Sequence, residues 1–279
     1  MDVWHYVTFR KSNHLDFFAY AIESGIVKQG DKSSDFVHFG ISEGNPHWKN
    51  VEKYISEHHI VSRAETSYTE EELSNADFLR VWSCWRQGYP QPEEGLAYQS
   101  ITYSNGSYCR ECGRGLLQQS PFRVRKSPNW GNRHFMMLNW VQDELFMDDV
   151  AKNVLSDAGI EGADFQVILN KSGMTIIPNM WQWNIYNVLP SGVRFDNCSL
   201  DQIFFCRSCG ECKYHPTGTG MLSFQKEVFQ NAPDVMKTGE VFGSACAASR
   251  RIIVRQKVYR LIKESQLHRG LVFEPVKLV

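Results

Sequence analysis

The sequence contains one short pattern twice, Cys109-Arg110-Glu111-Cys112-Gly113 and Cys206-Arg207-Ser208-Cys209-Gly210, and no other feature constrains the fold as much. Two residues between the cysteines let both sulfurs turn toward one point, about 2.3 Å from a metal ion. The glycine after the second cysteine permits a positive φ. The backbone amides are then free to point at sulfur, where they spread the thiolate charge and orient the ligands. Two such knuckles complete a closed tetrahedral site. The expectation is therefore one zinc ion on Cys109, Cys112, Cys206 and Cys209. A closed site has no open position for a substrate water, so its expected role is structural.

The stretch from Cys112 to Cys206 is long for a zinc ribbon. Closure entropy grows only logarithmically with loop length, so the gap can hold a folded substructure and a shared site stays feasible. Two other arrangements stand beside it. Each Cys-x-x-Cys has the spacing of a redox dithiol, but without a thioredoxin-like setting. The second knuckle also continues as Cys206-x-x-Cys209-x-x-Cys212-x-x-His215, so Cys212 or His215 offers a different ligand set. Cys84, Cys198 and Cys246 have no partner at ligand spacing and read as small buried hydrophobes.

Composition places the metal in a local role. A chain of 279 residues, 42% hydrophobic and 22% charged, reads as a soluble globular protein that buries a core without staples. Its net charge of −1 is no signal for nucleic acid or membrane. No apolar run approaches the roughly 20 residues of a membrane span. Met1 to Tyr6 lacks a basic segment followed by an apolar stretch, so no secretory leader is expected. With eight cysteines, this points to a reducing, cytoplasmic location, where close cysteine pairs read as metal ligands before disulfides.

Along the chain, the pattern predicts an α+β protein. Residues 1–92 read as an N-terminal α/β subregion, with a strand at 4–9, a helix at 15–27 capped by Asn13, a strand at 38–41 and a helix at 51–60. Thr69-Glu70-Glu71-Glu72 is a capping box and predicts a helix through Leu73, Phe78 and Val81. Gly88-Tyr89-Pro90-Gln91-Pro92 marks a break, leaving 93–279 as the cysteine-bearing region, or as part of one compact domain with the first. That region carries a faint internal repeat. The apolar run Leu145 to Met147 precedes a helical pattern, Gly162 and a strand; Ile252 to Val254 precedes a helical pattern, Gly270 and a strand. Val154, Leu155 and Ile160 match Leu261, Ile262 and Leu267 at one offset, and each unit follows a knuckle. The expected architecture is two related strand–helix–strand units joined by a knuckle pair that shares one four-cysteine zinc site.

The paired knuckles, and the tail ending Gly270-Leu271-Val272-Phe273-Glu274-Pro275-Val276, resemble the bacterial double-CXXCG motif immunity proteins of polymorphic toxin systems. The resemblance covers roughly 100–279. It implies a cytoplasmic, non-enzymatic protein that binds and neutralises a cognate toxin. Cys212 and His215 depart from the family pattern.

No catalytic motif competes with this reading. There is no His-Glu-x-x-His, nucleophile elbow or Walker loop. His58 and His59 are adjacent and point about 100° apart on a helix, which suits solvated or capping roles. His14 with Asp16, and His47 beside Trp48, read as helix-start and turn residues. A zinc-ribbon nucleic-acid-binding regulator is the alternative, because Arg110, Arg114, Arg123, Arg125, Lys126 and Arg133 gather after the first knuckle. A second basic group, Arg250, Arg251, Arg255, Lys257, Arg260, Lys263 and Arg269, crowds the C-terminal unit. Near-neutral total charge and the acidic residues Glu65, Glu70, Glu71, Glu72 and Asp77 weigh against it, and a hydrolase or transferase with a structural zinc ranks last. Trp181 and Trp183 share a strand face, which reads as core before it reads as a docking anchor.

Overall fold

The computed structural model describes residues 1–28, 34–104, 108–195, 200–216 and 219–279. Cys198 lies outside the described residues. The protein is a mixed α+β chain with several sheets, organised as two compact units. One is built on Met1–Glu72 with residues 219–220 of the later chain, the other on Leu73–Pro216 and Met221–Val279.

The first unit runs β1 (Asp2–Arg10), α1 (Leu15–Glu23), β2 (Phe36–Ser42), α2 (Trp48–Glu57) and β3 (Ser62–Ser67). Its sheet has the order β2-β1-β3, with β1 antiparallel to both neighbours. Alternation along β1 and β2 sends Val7, Phe9, Val37, Phe39 and Ile41 to one face, where Phe17 of α1 and Trp48 and Val51 of α2 cover them. The opposite face leaves Trp4, Tyr6 and Phe36 exposed.

The chain then enters α3 (Glu70–Asn75), β4 (Phe78–Ser83) and α4 (Tyr98–Thr102). Thr69 closes the expected capping box: its Oγ1 accepts the Glu72 N–H at 3.2 Å, and Glu72 Oε2 accepts the Thr69 N–H at 2.8 Å. The helix does not continue through Phe78 and Val81. It ends at Asn75, and Phe78-Leu79-Arg80-Val81-Trp82 becomes a strand, as β-branched and aromatic residues favour.

Two sheets form the second unit. The five-stranded sheet has the order β5 (Arg123–Val124), β8 (Ala163–Asn170), β9 (Ile176–Ile185), β7 (Leu145–Met147) and β6 (Phe135–Met136). The six-stranded sheet has the order β10 (Val193–Arg194), β13 (Leu222–Phe224), β16 (Leu271–Leu278), β4, β15 (Ile252–Arg255) and β14 (Val235–Lys237). A separate hairpin pairs β11 (Leu200–Phe205) with β12 (Cys212–Pro216). Helices α5 (Asp149–Asp157) and α6 (Gln256–Glu264) contribute Ala151, Leu155, Val258 and Ile262 to one shared core, together with Leu145, Met147, Ile252 and Val254. The alternate residues Phe146 and Ile253 enter two further cores on the far faces of the sheets. Strands buried on both faces read as continuous apolar runs.

One arrangement recurs. β7–α5–β8 places its two strands on either side of β9, and β15–α6–β16 on either side of β4; the central strand is antiparallel to both in each case. The first unit does the same with β2–α2–β3 around β1, a copy that the hydrophobic pattern did not reveal. All three helices end alike. The amide five positions on bonds back, Ile60 to Ile55 at 3.0 Å, Ile160 to Leu155 at 3.4 Å and Leu267 to Ile262 at 2.9 Å. The preceding residues, His59, Gly159 and Gln266, have φ of 51°, 60° and 58°, which is the Schellman termination.

The compact units divide at Glu72 and Leu73, not at the Gly88–Pro92 break. β4 precedes that break yet lies inside the six-stranded sheet, and Gln91 N–H bonds to Arg123 O at 2.9 Å. Helix α1 stops at Glu23, and its N-cap is His14, without a side-chain cap from Asn13. No helix among the described residues is long and apolar enough to cross a membrane.

Candidate metal centre

The two knuckles are built by the same backbone bonds. In the first, Cys109 N–H bonds to Arg114 O at 2.8 Å and Gly113 N–H to Cys109 O at 2.7 Å. In the second, Cys206 N–H bonds to Glu211 O at 2.9 Å and Gly210 N–H to Cys206 O at 2.9 Å. Gly113 and Gly210 have φ of 75° and 71°, so both second-cysteine glycines occupy the conformation that the sequence called for. The second knuckle is the turn of the β11–β12 hairpin, immediately after the paired residues Phe205 and Cys212.

The fold brings the four sulfurs together. Cys109 Sγ is 3.7 Å from Cys206 Sγ, and Cys112 Sγ is 3.7 Å from Cys209 Sγ. All four lie within 4.8 Å of one another. A tetrahedron with metal–sulfur bonds of about 2.3 Å has edges of about 3.8 Å, so the cluster is the size that a tetrahedral thiolate site requires. Cys112 and Cys206 are buried, Cys109 is half-buried and Cys209 is exposed. The centre thus lies at the edge of the second unit, with two sulfurs sealed inside.

Local electrostatics divides the thiols. The Cys112 amide, aided by that of Glu111 and opposed by desolvation, brings the Cys109 thiol down to about 7. Burial pushes the Cys112 thiol up to about 12. Metal binding here must displace protons, as thiolate coordination does generally.

Cys212 and His215 stand outside the cluster: Cys212 is half-buried on β12 and His215 is exposed. Cys84 and Cys246 are exposed, not buried hydrophobes. Each sits in a connecting segment, Cys84 just past β4 and Cys246 in the loop after Phe242, outside the strands that build the cores. That second loop matters for the site in a way the sequence did not signal. A Cβ on Gly113 would lie 1.9 Å from Cys246 O, so the loop is pressed onto the first knuckle.

Many of the clustered cations are engaged within the second unit. Arg250 donates to the carbonyls of Thr238 and Gly239, and Arg255 to those of Ala232 and Pro233. Lys257 pairs with Asp234 at 2.6 Å, Arg114 with Glu211 at 3.1 Å and Arg125 with Glu93 at 2.8 Å. Of the tryptophans, Trp183 is fully buried and Trp181 packs half-buried against the same core; Tyr186 is exposed. His58 stacks on Tyr54, and His47 bonds to Tyr20 Oη. No protein-family model matches the chain, and no curated protein does.

Proposed function

We propose that the protein is a non-enzymatic binding protein of the double-CXXCG immunity type, which neutralises a cognate bacterial toxin in the cytoplasm. One zinc ion on Cys109, Cys112, Cys206 and Cys209 holds its binding surface in shape. The carrying observation for the zinc is the closed four-sulfur cluster, with sulfur pairs 3.7 Å apart and no other ligand drawn in among the described residues. The strand–helix–strand arrangement behind each knuckle supports reading the two as copies that share this ion. The immunity reading itself rests on the resemblance of the knuckles and the C-terminal tail. Engagement of Arg250 and Arg255 by backbone carbonyls favours it over a phosphate-binding surface.

Elemental analysis tests the metal: about one zinc per chain is expected, lost in Cys109→Ser and Cys206→Ser and kept in Cys212→Ser. Co-expression with the toxin encoded beside it tests the function. The parent should protect cells, and a knuckle variant should lose protection in step with its folding. A well-folded, zinc-free variant that protects fully rejects the organising role of zinc. Tight nucleic-acid binding that falls steeply with salt favours the regulator instead.

A further inference from the structure

Four thiolates on a dication leave about two negative charges, and two of these sulfurs are sealed from water. Charge buried in this way needs a partner. Lys213, on β12 just beyond the second knuckle, is fully buried, a rare position for lysine. Its Nζ donates to Cys112 O at 2.8 Å, to Ala247 O at 2.9 Å and to Ala245 O, and lies 5.2 Å from the Phe204 ring centroid. Three acceptors match the three N–H groups of an ammonium, whereas a neutral amine has two. Among the described residues, no carboxylate pairs with it. The cage is made of neutral carbonyls, one of which belongs to a metal-ligand cysteine.

We propose that Lys213 is the built-in counter-ion of the four-thiolate centre: a positioning residue that compensates the charge of the loaded site and ties both knuckles to the 245–247 loop. This rests on the zinc reading above. The three hydrogen bonds use all the donors of the ammonium but leave its charge without a counter-charge, and packing alone would accept methionine. The negative centre is what makes a buried ammonium favourable.

The test is zinc affinity, measured by competition with a chromophoric chelator, for the parent, Lys213→Gln and Lys213→Met. Glutamine keeps donors and removes charge. Both variants should bind zinc about ten- to a hundredfold more weakly, the usual effect of losing a group that supports metal ligands. Their metal-free forms should melt at or above the temperature of the metal-free parent, because an uncompensated buried charge has gone. Parental affinity in Lys213→Gln, or equal destabilisation with and without zinc, overturns the proposal and leaves the zinc reading intact. A parent that binds no zinc overturns both. If neither variant folds, amine acetylation of the parent decides. Lys213 should be protected while zinc is bound and modified before the buried Lys237 once zinc is removed; continued protection of Lys213 overturns the proposal.

Discussion

Gly113 and Gly210 hold the same place in their knuckles but face different demands. Both have a positive φ, where a Cβ costs roughly 1–2 kcal/mol. Around Gly210 a Cβ meets nothing within 4 Å, whereas at Gly113 it would lie 1.9 Å from Cys246 O. Gly210→Ala should therefore lower stability by about 1 kcal/mol and keep zinc. Gly113→Ala adds a backbone clash that only movement of the 243–247 loop relieves, so its loss should exceed about 3 kcal/mol, on the order of overpacked sites. Urea unfolding of the zinc-loaded variants makes the comparison; equal effects would mean that the loop yields freely. The loop also supplies two of the three carbonyls around Lys213, so the same substitution should weaken zinc binding, while Gly210→Ala should not.

Between the elements of the second unit, one polar contact stands apart from the apolar cores. Glu144, just before β7, meets Lys237 of β14, and Gln182 of β9 donates to its other oxygen at 3.0 Å. All three are buried, and burial pushes the Glu144 carboxyl above its ordinary range despite the opposing lysine. The pair joins the five-stranded sheet to the six-stranded one. Removing one partner strands a buried charge, so Lys237→Met should destabilise by about 3–5 kcal/mol, whereas the double variant Glu144→Leu, Lys237→Met should recover most of that loss. Equal destabilisation of single and double variants in a denaturant series would show that the ions do not couple. The sequence held much of this architecture and little of this contact. The four-cysteine cluster was legible because Cys-x-x-Cys-Gly states its chemistry within five residues. The units around α5 and α6 were legible because Leu145 to Met147 and Ile252 to Val254 are buried on both faces. The same double burial made β4 deceptive: Phe78 and Val81 carry no strict alternation, and a helix continued from the Thr69 cap fitted them equally well. The third copy of the arrangement stayed hidden because β3, Ser62–Ser67, is polar and exposed, and because the helix before it turns on His59 where glycine was the signal. Lys213 and the Glu144–Lys237 pair were invisible because long-range burial leaves no trace in local spacing.

At the scale of the molecule, the four-cysteine cluster belongs to one compact unit. Cys109, Cys112, Cys206 and Cys209 all lie in the unit of Leu73–Pro216 and Met221–Val279, while the first unit's core of Val7, Phe9, Phe17, Val37, Phe39, Ile41, Trp48 and Val51 contains no cysteine. The second unit in turn has three apolar clusters built from its sheets and helices, and the cysteines belong to none of them. Zinc binding energy is folding energy only for the segments that need the ion to be in place. With zinc bound as proposed, those are the two knuckles, the β11–β12 hairpin and the loop that Lys213 holds. Stripping zinc with a chelator should therefore open these segments as a local unit, with lost amide protection at 109–114, 206–216 and 242–249 in hydrogen exchange. Protection in β1 and β2 should not change, and α5 and α6, whose Leu155 and Ile262 are fully buried in the shared core, should remain protected. Loss of protection throughout both units would give zinc a global role that the distribution of apolar cores does not support. Unchanged protection at the knuckles would mean that the ion is dispensable even where its ligands are.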